Sequence, residues 1–119
     1  MTLKALQGKQ GEDLACTYLE EQGLTLVERN YRCRTGELDL IMQDGLYLVF
    51  IEVRYRRSTR YGTPAETVTR AKQQRLIRAA AYYLRCQPTN APCRFDVIAV
   101  TQHDEGSTLQ WIKDAFQTI

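Results

Sequence analysis

Acidic residues interrupt two predicted strands in the middle of this sequence, and a run of arginines follows the second strand. The stretch GELDLIMQDGLYLVFIEVRYRRS, residues 36–58, places Asp39 and Glu52 among apolar and β-branched residues that are typical of buried strands. A buried carboxylate needs a compensating charge, because burying an unpaired charge is costly. The sequence therefore raises the question of what compensates these two acids.

Asp44 and Gly45 separate the two apolar runs, and an Asp-Gly dipeptide at such a place predicts a β-hairpin. A two-residue turn at these positions fixes the pairing of every residue behind it, because side chains in a strand alternate between faces. Directly opposed residues share a face of the sheet, so the pairing predicts which side chains meet. The predicted pairs are Gln43–Leu46, Ile41–Leu48, Asp39–Phe50 and Glu37–Glu52.

This hairpin gathers Glu37, Asp39, Glu52 and Arg54 on one face of the sheet. Three carboxylates on one face repel one another, so a positive charge is expected between them. Mg²⁺ or Mn²⁺ meets this need, because hard cations take oxygen ligands and leave positions for water and a substrate phosphate. The alternative is a solvated face, with Asp39 paired to an arginine and Glu52 bridged to Arg54. The residues predicted on the other face are Leu38, Leu40, Met42, Tyr47, Val49, Ile51 and Val53.

Positive charge is concentrated after the hairpin, although the formal net charge of the chain is only +2. Between Arg54 and Arg78 lie eight basic residues and one acidic residue, Glu66. Such a concentration favours a polyanion such as nucleic acid as partner, and a solvated helix face with a basic loop is the alternative interpretation. The candidate nucleic-acid-binding residues are Arg56, Arg57, Arg60, Lys72 and Arg75.

The elements that must position these residues follow from the spacing of the apolar residues. Their order, α-β-β-β-α-β, predicts an α/β fold with a mixed sheet flanked by helices, because a helical crossover precedes the last strand. The 119 residues fit a single domain over 1–119. The predicted elements are a helix over 6–22, strands over 24–29, 37–42 and 47–54, a helix from Thr63 with a break near Thr69, a strand over 94–99, and a strand or short helix over 109–116.

Glu12 lies on the first predicted helix, at the edge of its apolar stripe rather than on its wet face. Four cysteines without a C-x-x-C pair, together with a single histidine, argue against a zinc site. No apolar segment is long enough to span a bilayer, and the N-terminus shows no signal sequence. We therefore expect a cytoplasmic protein with no membrane partner.

The motifs GELDLI and FIEVRYR, together with Gly11-Glu12, RNYRCRTGELDLI and AKQQRLIRAAAYYL, resemble the YraN-like family of predicted bacterial endonucleases. The resemblance covers nearly the whole chain. That family is a branch of the PD-(D/E)xK superfamily and is distantly related to archaeal Holliday junction resolvases. The resemblance implies a restriction-endonuclease-like core and Mg²⁺- or Mn²⁺-dependent cleavage of branched or structured DNA, with a homodimer as a possible assembly.

By position, the resemblance assigns Asp39 and Glu52 to the metal-binding acids and Glu12 to the helical acid that completes the site. The next core position is usually a lysine, and here it is Arg54, which could stabilise a phosphate but could not readily act as a base. Lys72 is a candidate for the missing ammonium, an exposed helix residue being the alternative. The second functional hypothesis is therefore a catalytically weakened nucleic-acid-binding or adaptor protein that keeps the nuclease fold.

Overall fold

The computed structural model describes residues 3–57 and 68–117. Within these residues, the order of elements is α-β-β-β-α-β-β, so the predicted α/β class and mixed sheet are confirmed. The last segment, for which the sequence allowed a strand or a short helix, is a strand. The elements are α1 (Leu3–Glu21), β1 (Thr25–Cys33), β2 (Gly36–Asp44), β3 (Tyr47–Arg56), α2 (Arg70–Cys86), β4 (Cys93–His103) and β5 (Gly106–Ile112).

The strands lie side by side in chain order, β1-β2-β3-β4-β5. β1, β2 and β3 form an antiparallel meander, and β5 returns antiparallel to β4. β3 and β4 are parallel, because α2 carries the chain back along the sheet before β4 begins. β3 is therefore the central strand, with neighbours on both sides and a helix over each face.

The two described helices pack on opposite faces of the sheet. On the α2 side, Leu76 and Tyr83 belong to one hydrophobic cluster with Phe50, whose ring meets that of Tyr83 edge-on at 6.0 Å between centroids. On the α1 side, Leu19 belongs to a second cluster with Ile51. Neither described helix has the length and apolar character needed to cross a bilayer. Residues from both helices can thus approach the same central strand.

α2 begins with a capped first turn that fixes the position of Lys72. Thr69 has an extended backbone (φ −65°, ψ 160°), and its hydroxyl accepts a hydrogen bond from the backbone N–H of Lys72 at 3.2 Å. Such a cap satisfies one of the N–H groups that a helix start leaves without a partner. The helix start predicted at Thr63, and with it the predicted break near Thr69, depends on residues outside the described ranges, and α2 itself begins at Arg70 after Thr69.

The turn of the β2–β3 hairpin differs from the predicted one by one residue. Gly45 and Leu46 form the loop, whereas Asp44 stays in β2 and pairs with Tyr47. Gly45 has φ 60° at the first central position, where a hairpin turn of type II′ requires glycine. The carboxylate of Asp44 accepts a hydrogen bond from Arg94 on β4 at 2.9 Å, which supports its place in the strand. The predicted pairs Gln43–Leu46, Ile41–Leu48, Asp39–Phe50 and Glu37–Glu52 are therefore wrong, and Gln43–Leu48, Ile41–Phe50 and Leu40–Ile51 replace them.

The corrected register shifts every partner by two residues, so most side chains keep their predicted face. Leu38 is an exception, because it packs with Ile41 in the α2-side cluster instead of facing α1. Residues 38 and 41 differ by an odd number, so the strand must rotate between them. The pairing of β2 with β3 ends in this segment, at Leu40. On the neighbouring strand β1, Asn30 has a left-handed φ of 53° between the residues that pair with Leu40 and Leu38. Asp39 lies at this irregularity.

A buried carboxylate ties β4 to β5 and to the hairpin. Asp96 is 1% exposed, and its two oxygens accept four hydrogen bonds of 2.9 Å. The donors are two guanidinium nitrogens of Arg94, the indole N–H of Trp111 and the backbone N–H of Asp114. Arg94 donates a further bond to Asp44, so both charges of this buried pair are well satisfied.

Candidate metal-binding carboxylate site

Asp39 and Glu52 lie where β2 and β3 stop pairing. Continuing the register by one residue beyond Leu40–Ile51 sets these two acids directly opposite each other. Oδ2 of Asp39 accepts a hydrogen bond from the backbone N–H of Val53 at 2.8 Å, so the side chain bridges the two strands where the ladder has ended. Glu52 is 5% exposed, and Asp39 is half-buried. We call these two residues the acid pair.

Burial and mutual repulsion disfavour full ionisation of the acid pair. Burial, followed by the nearby charge of Glu52, raises the pKa of Asp39 to about 8. Both effects disfavour the ionised form, because a carboxylate loses hydration on burial and is repelled by a second carboxylate. The N–H of Val53 and the ammonium of Lys72 act in the opposite direction but do not cancel the rise. At neutral pH and without a metal, the acid pair therefore retains a proton.

Two basic side chains reach Glu52 from different elements. Nζ of Lys72 lies 3.5 Å from Oε2 of Glu52, and Nη1 of Arg54 lies 3.8 Å from the same oxygen. Arg54 follows two residues later on the same strand and so shares its face, whereas Lys72 comes from the first turn of α2. About a third of each basic side chain is exposed. Both cations thus border the acid pair while remaining accessible to a solvent-borne anion.

Glu12 approaches the site from α1, on the other side of the sheet from α2. Burial and the charge of Asp39 raise the pKa of Glu12. Its carboxylate lies 3.6 Å from the guanidinium of Arg29, which also donates a 2.7 Å hydrogen bond to Asp13. Among the residues that the structure describes, no three histidine, cysteine or acidic side chains converge on one point. The structure thus brings Asp39 and Glu52 together, with Glu12 nearby and held by Arg29.

Gly11 allows α1 to come close to β3 next to Glu12. A Cβ atom at Gly11 would lie 3.1 Å from Cδ2 and 3.3 Å from Cβ of Tyr55. These distances are shorter than ordinary van der Waals contacts, so a side chain here would require Tyr55 or α1 to shift by a few tenths of an ångström. The position of Glu12 relative to the acid pair therefore depends on a glycine at position 11.

Gly11→Ala is expected to weaken metal binding by displacing α1 from Tyr55. The matched control is Gly8→Ala on the same helix, where an added Cβ meets no atom within 4 Å. Both changes raise helix propensity by about 1 kcal/mol, so any difference between them reports the clash. The rise of the melting temperature with Mn²⁺ should be smaller in Gly11→Ala and unchanged in Gly8→Ala. Equal rises in both variants would show that the approach of α1 has no bearing on metal binding.

Glu37 does not join the acid pair. Its carboxylate is paired instead with the exposed Arg32, at 3.4 Å between nitrogen and oxygen. An ion pair in such an exposed position contributes at most about 1 kcal/mol to stability. The predicted crowding of three carboxylates on one face is therefore wrong, because only two of them meet.

The predicted nucleic-acid-binding residues that the structure describes lie at the end of β3 and in the first turns of α2. Arg56 is half-buried at the end of β3, and Arg57 follows it and is exposed. Arg75 is exposed on α2, about one helical turn beyond Lys72. Arg60 lies outside the described residues. Lys72 contacts the acid pair at 3.5 Å from Glu52, whereas Arg57 lies beside His103 and Asp104 of the β4–β5 turn.

Arg29 and Tyr55 belong to the surroundings of the site, but the sequence did not predict them. For Tyr55 a signal existed, since its partner Gly11 sits inside a helix directly before an acid. An isolated glycine in a helix costs about 1 kcal/mol relative to alanine and often has a packing reason. Arg29 gave no signal, because its position matches that of an ordinary exposed strand residue.

Comparison with known proteins gives a consistent match over this whole region. A family model described as "Uncharacterised protein family UPF0102" matches residues 11–100, a span that includes Glu12, the acid pair, Arg54 and Lys72. A UPF0102 protein of Nitrosococcus oceani is 51% identical over 113 residues, which cover 93% of this chain and 91% of that protein. A UPF0102 protein of Vibrio cholerae is 52% identical over 112 residues, covering 92% and 90% respectively. The similarity therefore extends over nearly the full length of both relatives.

Proposed function

The chain belongs to the UPF0102 family, and we propose that it is a metal-dependent endonuclease that acts on branched or structured DNA. The observation that carries this proposal is the acid pair Asp39–Glu52 with Lys72 and Arg54 at 3.5 and 3.8 Å from Glu52. Phosphodiester hydrolysis needs oxygen ligands for a cation beside fixed positive charges for the phosphate. A PD-(D/E)xK nuclease with a restriction-endonuclease-like core is the part of this proposal that rests on the resemblance of the motifs.

Mg²⁺ or Mn²⁺ fits the donor atoms of the site. Such cations need only one or two protein carboxylates, because waters and the substrate phosphate complete the coordination shell. Asp39 and Glu52 would hold the cation, whereas Glu12, which is paired with Arg29, acts on Asp39 through its charge. When bound, the cation would lower the pKa of a coordinated water and offset negative charge on the phosphate. Since a ligating carboxylate must be ionised, Asp39 has to lose its proton before it can bind the metal.

Lys72 and Arg54 would bind the scissile phosphate and stabilise the negative charge that develops on it. Charge-assisted hydrogen bonds to a phosphate are stronger than neutral ones, and both side chains already lie beside the acid pair. A guanidinium is a poor general base, so the role proposed for Arg54 is electrostatic. Arg54 on β3 occupies the position where an ammonium is usual, and Lys72 on α2 would provide that ammonium for the phosphate instead.

Lys72→Met is expected to lower kcat by about 10²–10³-fold, the loss typical of removing one fixed donor to a developing charge. The control is Arg70→Met, which removes an exposed cation from the same turn of α2. Arg54→Lys keeps the charge next to Glu52 and should retain most of the activity. Single-turnover cleavage rates at saturating Mn²⁺ measure all three. If Lys72→Met cleaves as fast as Arg70→Met, Lys72 has only a structural role as a partner of Glu52.

Phosphate contacts position a substrate without reading its sequence, so selectivity for DNA shape is proposed rather than selectivity for sequence. Symmetric cleavage of two strands at a junction would require a homodimer, in which each copy cuts one strand. A cytoplasmic location is part of the same proposal. The residues proposed to contact the DNA backbone are Arg56, Arg57, Arg60, Lys72 and Arg75.

The proposed function is tested by incubating purified protein with DNA of four shapes. A four-way junction, a flap, a linear duplex and a single strand are compared in Mg²⁺, Mn²⁺ and EDTA. Metal-dependent cleavage of the branched substrates that disappears in Asp39→Ala and in Glu52→Ala supports the nuclease. Salt-sensitive binding with no cleavage of any substrate contradicts it and favours a binding or adaptor protein. That alternative draws on Arg54, which occupies the position usually held by lysine.

A further inference from the structure

A second basic surface borders the site on the side away from α2. A cleft of about 380 Å³ lies between α1 and β1, and we call it the α1–β1 cleft. Glu12 forms part of its wall, so the cleft adjoins the acid pair. Three of its six lining residues are basic and one is acidic. The lining residues are Gly8, Lys9, Glu12, Arg29, Asn30 and Arg32.

We propose that the α1–β1 cleft binds a backbone phosphate of the substrate strand, on the opposite side of the acid pair from Lys72 and Arg54. The inference rests on the proposed function and adds the path that the nucleic acid takes across the protein. A nucleic-acid strand bound both by this cleft and by Lys72 and Arg54 would present the phosphate between these two contacts to the acid pair. Such positioning lowers the barrier of the reaction by fixing the reacting groups before they react.

Two cations of the cleft are available to an anion. Lys9 is exposed on α1, and the side chain of Arg32 is 78% exposed on β1. Arg32 is paired with Glu37 at 3.4 Å, but such an exposed pair is worth only about 0–1 kcal/mol and can be exchanged for a phosphate. An arginine can meet a phosphate with two parallel hydrogen bonds, which makes it well suited to this contact.

Arg29 forms part of the cleft wall and lies between two acidic side chains of α1. Its Nη2 donates to Asp13 at 2.7 Å and lies 3.6 Å from Glu12, whereas its Nε is buried with no hydrogen-bond partner among the described residues. A buried polar group without a partner costs about 1–3 kcal/mol. The Arg29 side chain is 30% exposed and carries five N–H donors, so its accessible part adds positive charge to the wall of the cleft.

The shape of the cleft also suits a nucleic-acid backbone. Gly8 lines it without a side chain, and no atom lies within 4 Å of the place where its Cβ would be. A glycine permits close approach of another backbone, because nothing projects from it. The cleft is thus open above α1, with the cations of Lys9 and Arg32 beside the opening.

The test is nucleic-acid binding by the double variant Lys9→Gln/Arg32→Gln. Fluorescence anisotropy of a labelled single strand and of a four-way junction is measured in EDTA over a series of salt concentrations, so that no cleavage is needed. The affinity should fall, and the slope of log K against log salt should become smaller by about 0.7 for each phosphate of a single strand that the variant no longer neutralises. A DNA and an RNA strand of the same sequence show which backbone the cleft holds.

The control is Arg85→Gln/Lys113→Gln, which removes the same net charge from exposed positions that do not line the cleft. Arg85 lies in the last turn of α2, about 20 Å along the helix from Lys72, and Lys113 follows β5 at the other edge of the sheet from β1. This variant should keep the wild-type slope. If both double variants lose affinity and slope equally, the cleft contributes only its share of the net charge, and the inference is overturned.

A steric variant tests the cleft without altering charge. Gly8→Leu introduces a good helix former whose side chain occupies the opening of the cleft. It should weaken strand binding while the melting temperature and its rise with Mn²⁺ stay near the wild-type values. Wild-type affinity in Gly8→Leu would contradict binding in the cleft.

The outcomes for the cleft and for the proposed function are separable. If the wild type binds DNA in a cleft-dependent manner but cleaves nothing, the cleft is supported and the nuclease is not. If the wild type cleaves DNA and the cleft variants bind and cleave like the control variant, the nuclease is supported and the cleft is overturned. If the wild type binds neither a DNA nor an RNA strand, the cleft inference and the proposed function are both contradicted.

Discussion

Asp39→Asn is expected to abolish metal-dependent cleavage and, in the absence of metal, to make the protein more stable than wild type at alkaline pH. The asparagine side chain can still accept the hydrogen bond from the N–H of Val53, which is 2.8 Å from Oδ2 of Asp39. The amide carries no charge, so the variant avoids both the repulsion by Glu52 and the cost of removing a charge from water. It is also a poor ligand for a hard cation, so the metal site should be lost.

The sign of this stability effect follows from the pKa of Asp39. Its ordinary value is 3.8, and in the native protein burial and Glu52 raise it to about 8. Between these values the native state binds more protons than the unfolded state, so the wild-type free energy of unfolding falls as the pH rises through this window. The free energy of unfolding of Asp39→Asn should not show this decrease with pH. At pH 9 the variant should exceed the wild type by on the order of 1–3 kcal/mol.

Urea unfolding in EDTA between pH 5 and pH 9 measures this effect, with Asp104→Asn in the exposed β4–β5 turn as a charge-matched control. Added Mn²⁺ should then stabilise the wild type and leave Asp39→Asn unchanged, because a ligand stabilises only the state that binds it. Parallel stability curves for wild type and Asp39→Asn would contradict the elevated pKa. The expected exchange of stability for function is common at active sites.

Asp96→Ala is expected to lower the free energy of unfolding by about 3–5 kcal/mol, a loss large enough to threaten folding itself. The reason is that Asp96 accepts four hydrogen bonds while being almost fully buried. Its removal leaves Arg94, whose side chain is 13% exposed, with a largely buried charge, the ion pair with Asp44 and the ring of Tyr47. Trp111 and the N–H of Asp114 lose their acceptor as well.

The comparison variant is Asp44→Ala, which removes the more exposed partner of Arg94 and leaves its bonds to Asp96 in place. Its loss of stability should be much smaller, about 1 kcal/mol. Denaturant unfolding of both variants gives the two values. If Asp96→Ala does not fold, Asp96→Asn, which keeps an acceptor without the charge, should still lose more stability than Asp44→Ala. Losses of equal size in Asp44→Ala and Asp96→Asn would contradict a central role for Asp96.

The sequence predicted the meeting of Asp39 and Glu52 even though it placed the turn wrongly. The true register is shifted by two residues, an even number, and faces of a strand repeat every two residues. The error came from the turn, since glycine in a two-residue hairpin can take either central position. Had the shift been one residue, the two acids would have pointed to opposite faces of the sheet.

The features that the sequence did not predict depend on contacts between distant parts of the chain. Leu38 departs from alternation because β2 rotates where its pairing with β3 ends. Asp96 looked like an ordinary polar residue of a strand, although its partners include Trp111 and, through Arg94, Asp44. Local spacing carries no information about such partners, so burial of Asp96 could not be recognised before the fold was known.

Calorimetry of Mn²⁺ binding decides whether the acid pair is a metal site. The wild type and Asp104→Asn should bind the ion at neutral pH with release of a proton, because the ion replaces the proton held by the acid pair. Asp39→Asn and Glu52→Gln should show no binding under the same conditions. Equal binding of Mn²⁺ by wild type and by both of these variants, or no binding by the wild type, would contradict a metal site at Asp39 and Glu52.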